Sequence, residues 1–272
     1  MKNIVVFSDS HLDVNSNQMG RNLLSELISV IKDKKTDLII ISGDLTNFAD
    51  NTLKIIDVIQ YQIGTKVLFI PGNHDVWVDQ NQSSWDGYNI IKSHDSSLID
   101  KPYVINNEYA VIGDMGWYDY SFSPETIPHS ILRSRKKKLW NDSVYARWNM
   151  NDIDLQRIMI DKFEKQLSTF KDKKIIFVNH FIPYKEFITF KANDANWNLC
   201  NAFMGSSDLG GLLDQYSNIE WVLFGHTHKR YGVIRDFHGK NIICNPLGYK
   251  GEWESDDFIS ELEKTISLIQ IP

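Results

Sequence analysis

Short apolar runs recur along the chain at Ile4–Phe7, Leu38–Ile41, Val67–Ile70, Tyr109–Ile112, Ile175–Val178 and Trp221–Phe224, and each gives way to polar or glycine-rich residues. A continuous apolar run, unlike an alternating one, predicts a strand covered on both faces. Between several of them lie helical patterns. Residues 19–33 set Leu23, Leu24, Leu27, Ile28 and Ile31 at helical spacing, and residues 151–170 do the same with Ile153, Leu155, Ile158, Met159, Phe163 and Leu167. Strands alternating with helices predict βαβ units around a largely parallel sheet, an α/β class. After Trp221–Phe224 the pattern changes: residues 230–236, 241–244 and 265–271 read as short strands joined by turns such as His238-Gly239-Lys240, so antiparallel strands are expected at the end. No repeat or linker breaks the sequence, and we expect one domain over 1–272. The least regular stretch, 114–150, reads as an insertion or lid on that domain.

Composition narrows the function classes. The chain has 272 residues, 42% hydrophobic and 24% charged, with a formal net charge of -6. An acidic chain lacks the basic footprint of a general nucleic-acid binder, although Arg133-Ser134-Arg135-Lys136-Lys137-Lys138 is a local basic run. Cys200 and Cys244 form no CxxC pair, and free thiols are the expected state. The apolar stretch at the N-terminus, Ile4–Phe7, is too short for a signal-peptide core, and no segment reaches the length of a membrane span. The expected setting is cytoplasmic, with no membrane partner.

The predicted strands end in potential metal ligands. The first runs into Ser8-Asp9-Ser10-His11, the second into Ser42-Gly43-Asp44 and the third into Pro71-Gly72-Asn73-His74-Asp75. The strand at 175–178 runs into Asn179-His180, and the one at 221–224 into Gly225-His226-Thr227-His228. In open α/β sheets the ligand crevice lies at the carboxyl ends of strands, so these residues gather at one rim. Carboxylate, imidazole and amide oxygen make a mixed N/O site suited to Mn, Fe, Zn or similar ions. With no cysteine among them, a structural zinc site is disfavoured. The ligands exceed what one ion needs; two ions roughly 3.5–4 Å apart, sharing a carboxylate, would use them all. Any single fragment is a weak signal: Gly-Asp after a strand is more often a turn, and a lone histidine such as His180 more often a hydrogen-bonded core residue. The ordered set is not weak.

Asp9-x-His11, Gly43-Asp44, Gly72-Asn73-His74-Asp75, His180 and Gly225-His226-Thr227-His228 resemble the five signature blocks of calcineurin-like metallophosphoesterases, over residues 9 to 228. The resemblance implies a four-layer α/β/β/α sandwich with mixed sheets flanked by helices. It also implies two divalent ions. Asp9, His11, Asp44 and His228 would hold one, and Asp44 would bridge to a second held also by Asn73, His180 and His226. His74 would bind no metal but contact the phosphate and leaving group as the catalytic residue. Phosphate esters resist attack because their oxygens are anionic. Two cations neutralise that charge and activate water for in-line attack.

The substrate is narrowed by departures from the pattern. Protein Ser/Thr phosphatases of this superfamily carry Gly-Asp-x-Val-Asp-Arg-Gly and Arg-Gly-Asn-His-Glu. Here the segments are Gly43-Asp44-Leu45-Thr46-Asn47-Phe48-Ala49 and Pro71-Gly72-Asn73-His74-Asp75, without the phosphate-gripping arginines. The chain is more similar to small bacterial phosphoesterases, so the expected reaction is hydrolysis of a small phosphorylated molecule, of nucleotide type, as diesterase or phosphatase. A nuclease acting on DNA ends is the alternative, disfavoured by acidic charge; a non-catalytic scaffold is a second, disfavoured because the ligand set is complete. In 114–150, Trp140 and Arg147 are candidate substrate contacts, since aromatic rings stack on bases and arginine holds phosphate. The plainer alternative is that these aromatics pack their own small core.

Overall fold

The computed structural model describes residues 1–124 and 127–272, so two residues of the 114–150 segment lie outside the description. Among the described residues the strands are β1 (Lys2–Phe7), β2 (Leu38–Ser42), β3 (Val67–Ile70), β4 (Tyr103–Val104), β5 (Tyr109–Gly113), β6 (Lys174–Val178), β7 (Ile219–Leu223), β8 (Gly232–Phe237), β9 (Lys240–Cys244) and β10 (Ser267–Ile271). All of the predicted apolar runs form strands, with only Phe224 falling outside.

The strands make two mixed sheets, ordered β10-β1-β2-β3 and β4-β5-β6-β7-β9-β8. Their interiors are parallel: β1 with β2, β2 with β3, β5 with β6, β6 with β7, and β7 with β9. Antiparallel pairing is confined to the edge strands β10, β4 and β8. The expectation of antiparallel strands at the end therefore needs one correction. β8 and β10 are antiparallel additions, but β9 lies parallel beside β7, reached through β8 rather than through a helix.

Side-chain alternation explains why the strand runs are apolar throughout. Ile4, Val6, Ile40 and Ile70 of one sheet meet Val111, Ile176, Val178 and Leu223 of the other in a single buried cluster. Their neighbours Val5, Phe7, Ile39 and Ile41, and Ala110, Ile112, Phe177 and Val222, join the cluster that includes the helices. Successive residues point to opposite faces, so both faces are covered and the layers are α/β/β/α.

Two helices test the periodicity. The helix predicted at 151–170 spans Asp152–Thr169 and is capped by the Asn151 side chain, which accepts from the Asp154 N–H. The one predicted at 19–33 begins later, at Leu24–Asp33, because a separate helix, Leu12–Met19, ends at Gly20 in the left-handed conformation with φ 66°. The 114–150 segment contains the helices His129–Leu139 and Asp142–Tyr145. Much of its aromatic content is spent on packing, since Trp117, Tyr118, Phe122 and Trp148 join the main core. No helix among the described residues is long and apolar enough to cross a membrane, and Cys200 and Cys244 are both free thiols.

The layer between the sheets sets the relative position of the strand ends. Ile176→Ala, at a fully buried site in that layer, should cost about 2–5 kcal/mol in urea unfolding with an unchanged m value. A loss below about 1 kcal/mol would mean that the inter-sheet layer collapses readily around a gap.

Candidate metal centre

The carboxyl ends of β1, β2, β3, β6 and β7 bring Asp9, His11, Asp44, Asn73, His74, His180, His226 and His228 together, all buried or nearly so. The backbone there is unusual. Asp9 (φ 53°), His11 (39°), Asp44 (52°), His226 (65°) and His228 (51°) all occupy the left-handed region. For residues with a Cβ this costs on the order of 1–3 kcal/mol each and persists only where the surroundings over-determine it. Those surroundings are the loops themselves. Asp9 N–H donates to the Gly43 carbonyl at 3.0 Å, and His11 N–H to the Asp44 carbonyl at 3.1 Å. His226 N–H donates to Asp9 Oδ1 at 2.9 Å. The Asp75 carboxylate accepts from the N–H groups of Asp44 (2.7 Å), Leu45 (3.2 Å) and Gly72 (2.8 Å), locking the second loop to the third. At two positions glycine is required by proximity: a Cβ on Gly72 would overlap the Asp44 carboxylate, and one on Gly225 would overlap Asp9 Oδ2.

The donor atoms converge in three overlapping groups, Asp9–His11–His228, His11–Asp44–His74 and Asp44–His180–His226, each with its ligand atoms within 4.8 Å of one another. Asp44 is shared by two of them, its Oδ2 at 3.2 Å from His180 Nε2, 3.8 Å from His11 Nε2 and 4.0 Å from His74 Nε2. Most of the rings have their outer nitrogen occupied. His180 Nδ1 donates to the Ser42 carbonyl (3.0 Å), His226 Nε2 to the Phe203 carbonyl (3.2 Å), His228 Nδ1 to Glu252 (2.7 Å) and His74 Nδ1 to Asn47 Oδ1 (2.7 Å). Each such bond fixes the tautomer and turns the other nitrogen inward, as in metal-binding histidines. Within this cluster, the buried oxygens Asp9 Oδ2 and Asn73 Oδ1 have no hydrogen-bond partner. Buried polar atoms are nearly always satisfied, so these two fit cation ligands.

A cavity of about 350 Å³ opens on this cluster. One wall carries Asp44, Asn73, His74, His226, His228 and Tyr249; the others carry Trp77, Trp140, Phe187, Ile188, Trp197 and Met204. No lysine or arginine is among its lining residues.

The model of the calcineurin-like phosphoesterase family matches residues 2–230. The chain is a calcineurin-like phosphoesterase. As such it is a hydrolase of phosphoric ester bonds, which sets aside the scaffold alternative. It is 22% identical, over 94% of both chains, to a probable cyclic nucleotide phosphodiesterase of Coxiella burnetii. It is also 26% identical, over 90% of both chains, to an uncharacterized protein of Acanthamoeba polyphaga mimivirus. A probable cyclic nucleotide phosphodiesterase of Vesicomyosocius okutanii is 40% identical over 76 residues, a match that spans 33% of that protein's length. Among solved structures, the phosphopantetheinyl hydrolase of Mycobacterium tuberculosis superposes with a TM-score of 0.74 at 16% identity, covering 98% of this chain and 95% of that one, which shows a shared fold.

The two candidate substrate contacts of the phosphoesterase separate in space. Trp140 lines the cavity, and its indole N–H donates to Asp142 Oδ2 at 2.9 Å. Arg147 is not among the lining residues; its backbone is pinned to Ser84, with N–H to Oγ at 2.8 Å. The turn after the helix Asp142–Tyr145 takes the Arg147 backbone to the loop at 83–84, so the structure does not bring it together with Trp140 at the cavity.

Several residues at the phosphoesterase site escaped the sequence. Tyr249 lines the cavity with its hydroxyl 3.2 Å from His74 Nε2, and Glu252 holds His228. Both follow β9. Read as antiparallel, β9 has no strand end at the rim; as the parallel strand it is, it obeys the same carboxyl-end rule as the others. Asp142, which accepts from Asn73 Nδ2 at 2.9 Å, follows no strand and had no such signal.

Charge in the phosphoesterase site is arranged by burial and mutual proximity. Burial opposes ionisation of Asp44, yet His180, His74 and His11 hold its carboxyl well below the usual range. Burial also opposes protonation of His180, but Asp44 and Asp9 push it up to about 10. Burial, reinforced by neighbouring His180, holds His226 well below the ordinary histidine value. For metal-free protein the consequence has a definite sign. His180 is raised above its ordinary 6.5, so its pairing stabilises the fold fully below that pH and is lost as pH rises through about 10. The chelator-treated chain should therefore melt at falling temperature as pH climbs from about 7 to about 10, and His180→Gln should flatten that limb. Identical slopes in the two proteins would exclude the His180–Asp44 pair as the source.

Proposed function

We propose that this phosphoesterase hydrolyses a small ester carrying a single phosphoryl group and an uncharged organic part of nucleotide type, such as a cyclic nucleotide. The observation that carries the reading is the cavity. Its floor is the Asp/His cluster, and its other walls are largely apolar and aromatic, with Asn141, Asp142, Thr189, Asn201 and Glu252 among them but no lysine or arginine. No lysine or arginine lines it to receive a second or third phosphate, Lys191 and Lys229 being engaged with Trp197 and Thr189, whereas a base or similar group would find aromatic and aliphatic surface. The names of the Coxiella burnetii and Vesicomyosocius okutanii relatives agree with such a substrate. Against the nuclease alternative, the basic run lies on the helix His129–Leu139, of which only Leu139 lines the cavity.

We assign Asp9, His11, Asp44 and His228 to one divalent ion and Asp44, Asn73, His180 and His226 to a second, of Mn, Fe, Zn or similar type. Supporting this are the grouped donor atoms, the fixed tautomers and the unpartnered oxygens of Asp9 and Asn73. When bound, the ions would supply Lewis-acid charge for the phosphoryl oxygens and a water acidic enough to ionise near neutral pH. His74 is assigned to the leaving oxygen. Its Nε2 faces the cavity beside Tyr249, and its Nδ1 is braced by Asn47. Burial holds His74 below the ordinary value, while Asp44 and Asp142 favour its protonated form. An incoming phosphate adds negative charge in the same direction, readying the ring to deliver a proton. The chain 1–272 is read as one unit in which Leu139, Trp140, Asn141 and Asp142 of the 114–150 segment line the cavity.

With Mn²⁺ added, cyclic nucleotides and bis-p-nitrophenyl phosphate should be cleaved, and nucleoside triphosphates should be at least about tenfold worse in kcat/KM, since each unpaired charge left in an apolar site is costly. Equal or better rates on triphosphates would refute the single-phosphate reading. His74→Ala should retain both ions by mass-spectrometric metal analysis while turnover falls by roughly 10²–10⁴. Loss of metal in that variant would make His74 a ligand instead.

A further inference from the structure

We propose that Asp142, carried by the 114–150 segment, is a positioning residue of the metal centre, fixing the Asn73 amide so that its oxygen faces the ions. The inference rests on the assignment of Asn73 as a ligand. An amide has two ends of nearly equal shape, but only its oxygen has lone pairs for a cation; the nitrogen would present N–H bonds to it. Something must choose. Asp142 Oδ1 accepts from Asn73 Nδ2 at 2.9 Å, and Asn73 Oδ1, on the other side, is buried without a hydrogen-bond partner. A carboxylate only accepts, so the hydrogen bond forms in one of the two amide orientations.

The carboxylate is itself held. Trp77 Nε1 donates to Oδ1 at 2.7 Å, and Trp140 Nε1 (2.9 Å) and the Tyr118 hydroxyl (3.1 Å) donate to Oδ2. Asp142 is only 1% exposed, so these partners are not exchanged for water at will. Both indoles are donors without an acceptor, and neither can take over the contact to Asn73. Tyr118 is anchored in turn, its ring stacked on Trp117 at 4.6 Å. The chain of contacts therefore runs from the packed aromatics of 114–150, through Asp142, to one ligand of one ion. Such outer partners typically raise metal affinity 10–100-fold. The segment read from sequence as a lid is thereby a strut.

The test titrates Mn²⁺ into the chelator-stripped full-length chain by calorimetry. Wild type should bind two ions. Asp142→Asn places an amide against the Asn73 amide and the surrounding donors, and should weaken one ion by about 10–100-fold while leaving the other within about threefold. Tyr118→Phe removes one of the donors that hold Asp142 but keeps the Asn73 contact, so any weakening should fall on the same ion and be smaller than in Asp142→Asn. The swap Asn73→Asp/Asp142→Asn restores a donor–acceptor pair with an oxygen left over, and should recover the weakened ion to within about threefold of wild type. Unchanged affinities in Asp142→Asn, equal weakening of both ions, or a swap no better than the single variant would each overturn the proposal. Asn73→Ala separates the layers. If it still binds two ions normally, the ligand assignment itself fails; if it loses one while Asp142→Asn loses none, only the positioning role fails.

Discussion

Asp44 is buried with one carboxylate oxygen facing His11, His74 and His180 and the other bonded to the His74 backbone N–H at 2.9 Å. A carboxylate so placed has lost its water and must be compensated by protons or cations from the protein side. His180 supplies a proton in the metal-free state, which is why its affinity for protons is raised while that of His226, a few ångströms further on, is depressed. Much of the local backbone follows from keeping Asp44 in place. Its own left-handed conformation, the close pass of Gly72 and the Asp75 carboxylate gathering four N–H groups hold one oxygen at the meeting point of two ligand groups. Burial raises Asp75, which braces Asp44, to about 7, with Asp44 adding to the effect.

Strain of this kind needs a stiff support, and the two sheets provide it. The strand ends that carry ligands come from both sheets: β1, β2 and β3 from one, β6 and β7 from the other. No ligand group is built from one loop alone, and Asp44–His180–His226 spans the sandwich. A sliding of one sheet on the other would pull the groups apart, so the apolar layer between the sheets fixes metal geometry as well as stability. The hydrogen bond from Gly225 N–H to the His180 carbonyl, and that from His180 N–H to Met115, tie neighbouring strand ends within the second sheet.

Much of this was legible in the sequence because its signals are local. Four or five consecutive apolar residues announce a strand covered twice, and the residues after it fall at the rim by geometry alone. Asp9, His11, Asp44, Asn73, His74, His180, His226 and His228 were found in this way. What failed was information that depends on pairing partners. The parallel placement of β9 cannot be read from five residues, and with it went Tyr249 and Glu252. Gly20 stops a helix inside an unbroken helical pattern because it caps it in the left-handed conformation. Asp142 and Arg147 lie in the same irregular segment, and no periodicity distinguishes the one turned to Asn73 from the one turned to Ser84.

The cavity divides its work between unlike surfaces. Its floor concentrates histidine and carboxylate, so a phosphoryl group is received by charge; its walls are Trp77, Trp140, Phe187, Ile188, Trp197 and Met204, which discriminate by shape and dryness. The apolar walls lower the local dielectric and so strengthen electrostatic effects at the floor, where histidine and carboxylate are concentrated. Trp77 and Trp140 serve both surfaces. Both line the cavity, Trp77 packed against His74 and Tyr145, while their N–H groups hold Asp142 behind the metal ligand Asn73 proposed above. Asp142 thus takes four hydrogen bonds at one buried point, from Asn73, Trp77, Tyr118 and Trp140, and three of the four donors belong to aromatic residues packed around it.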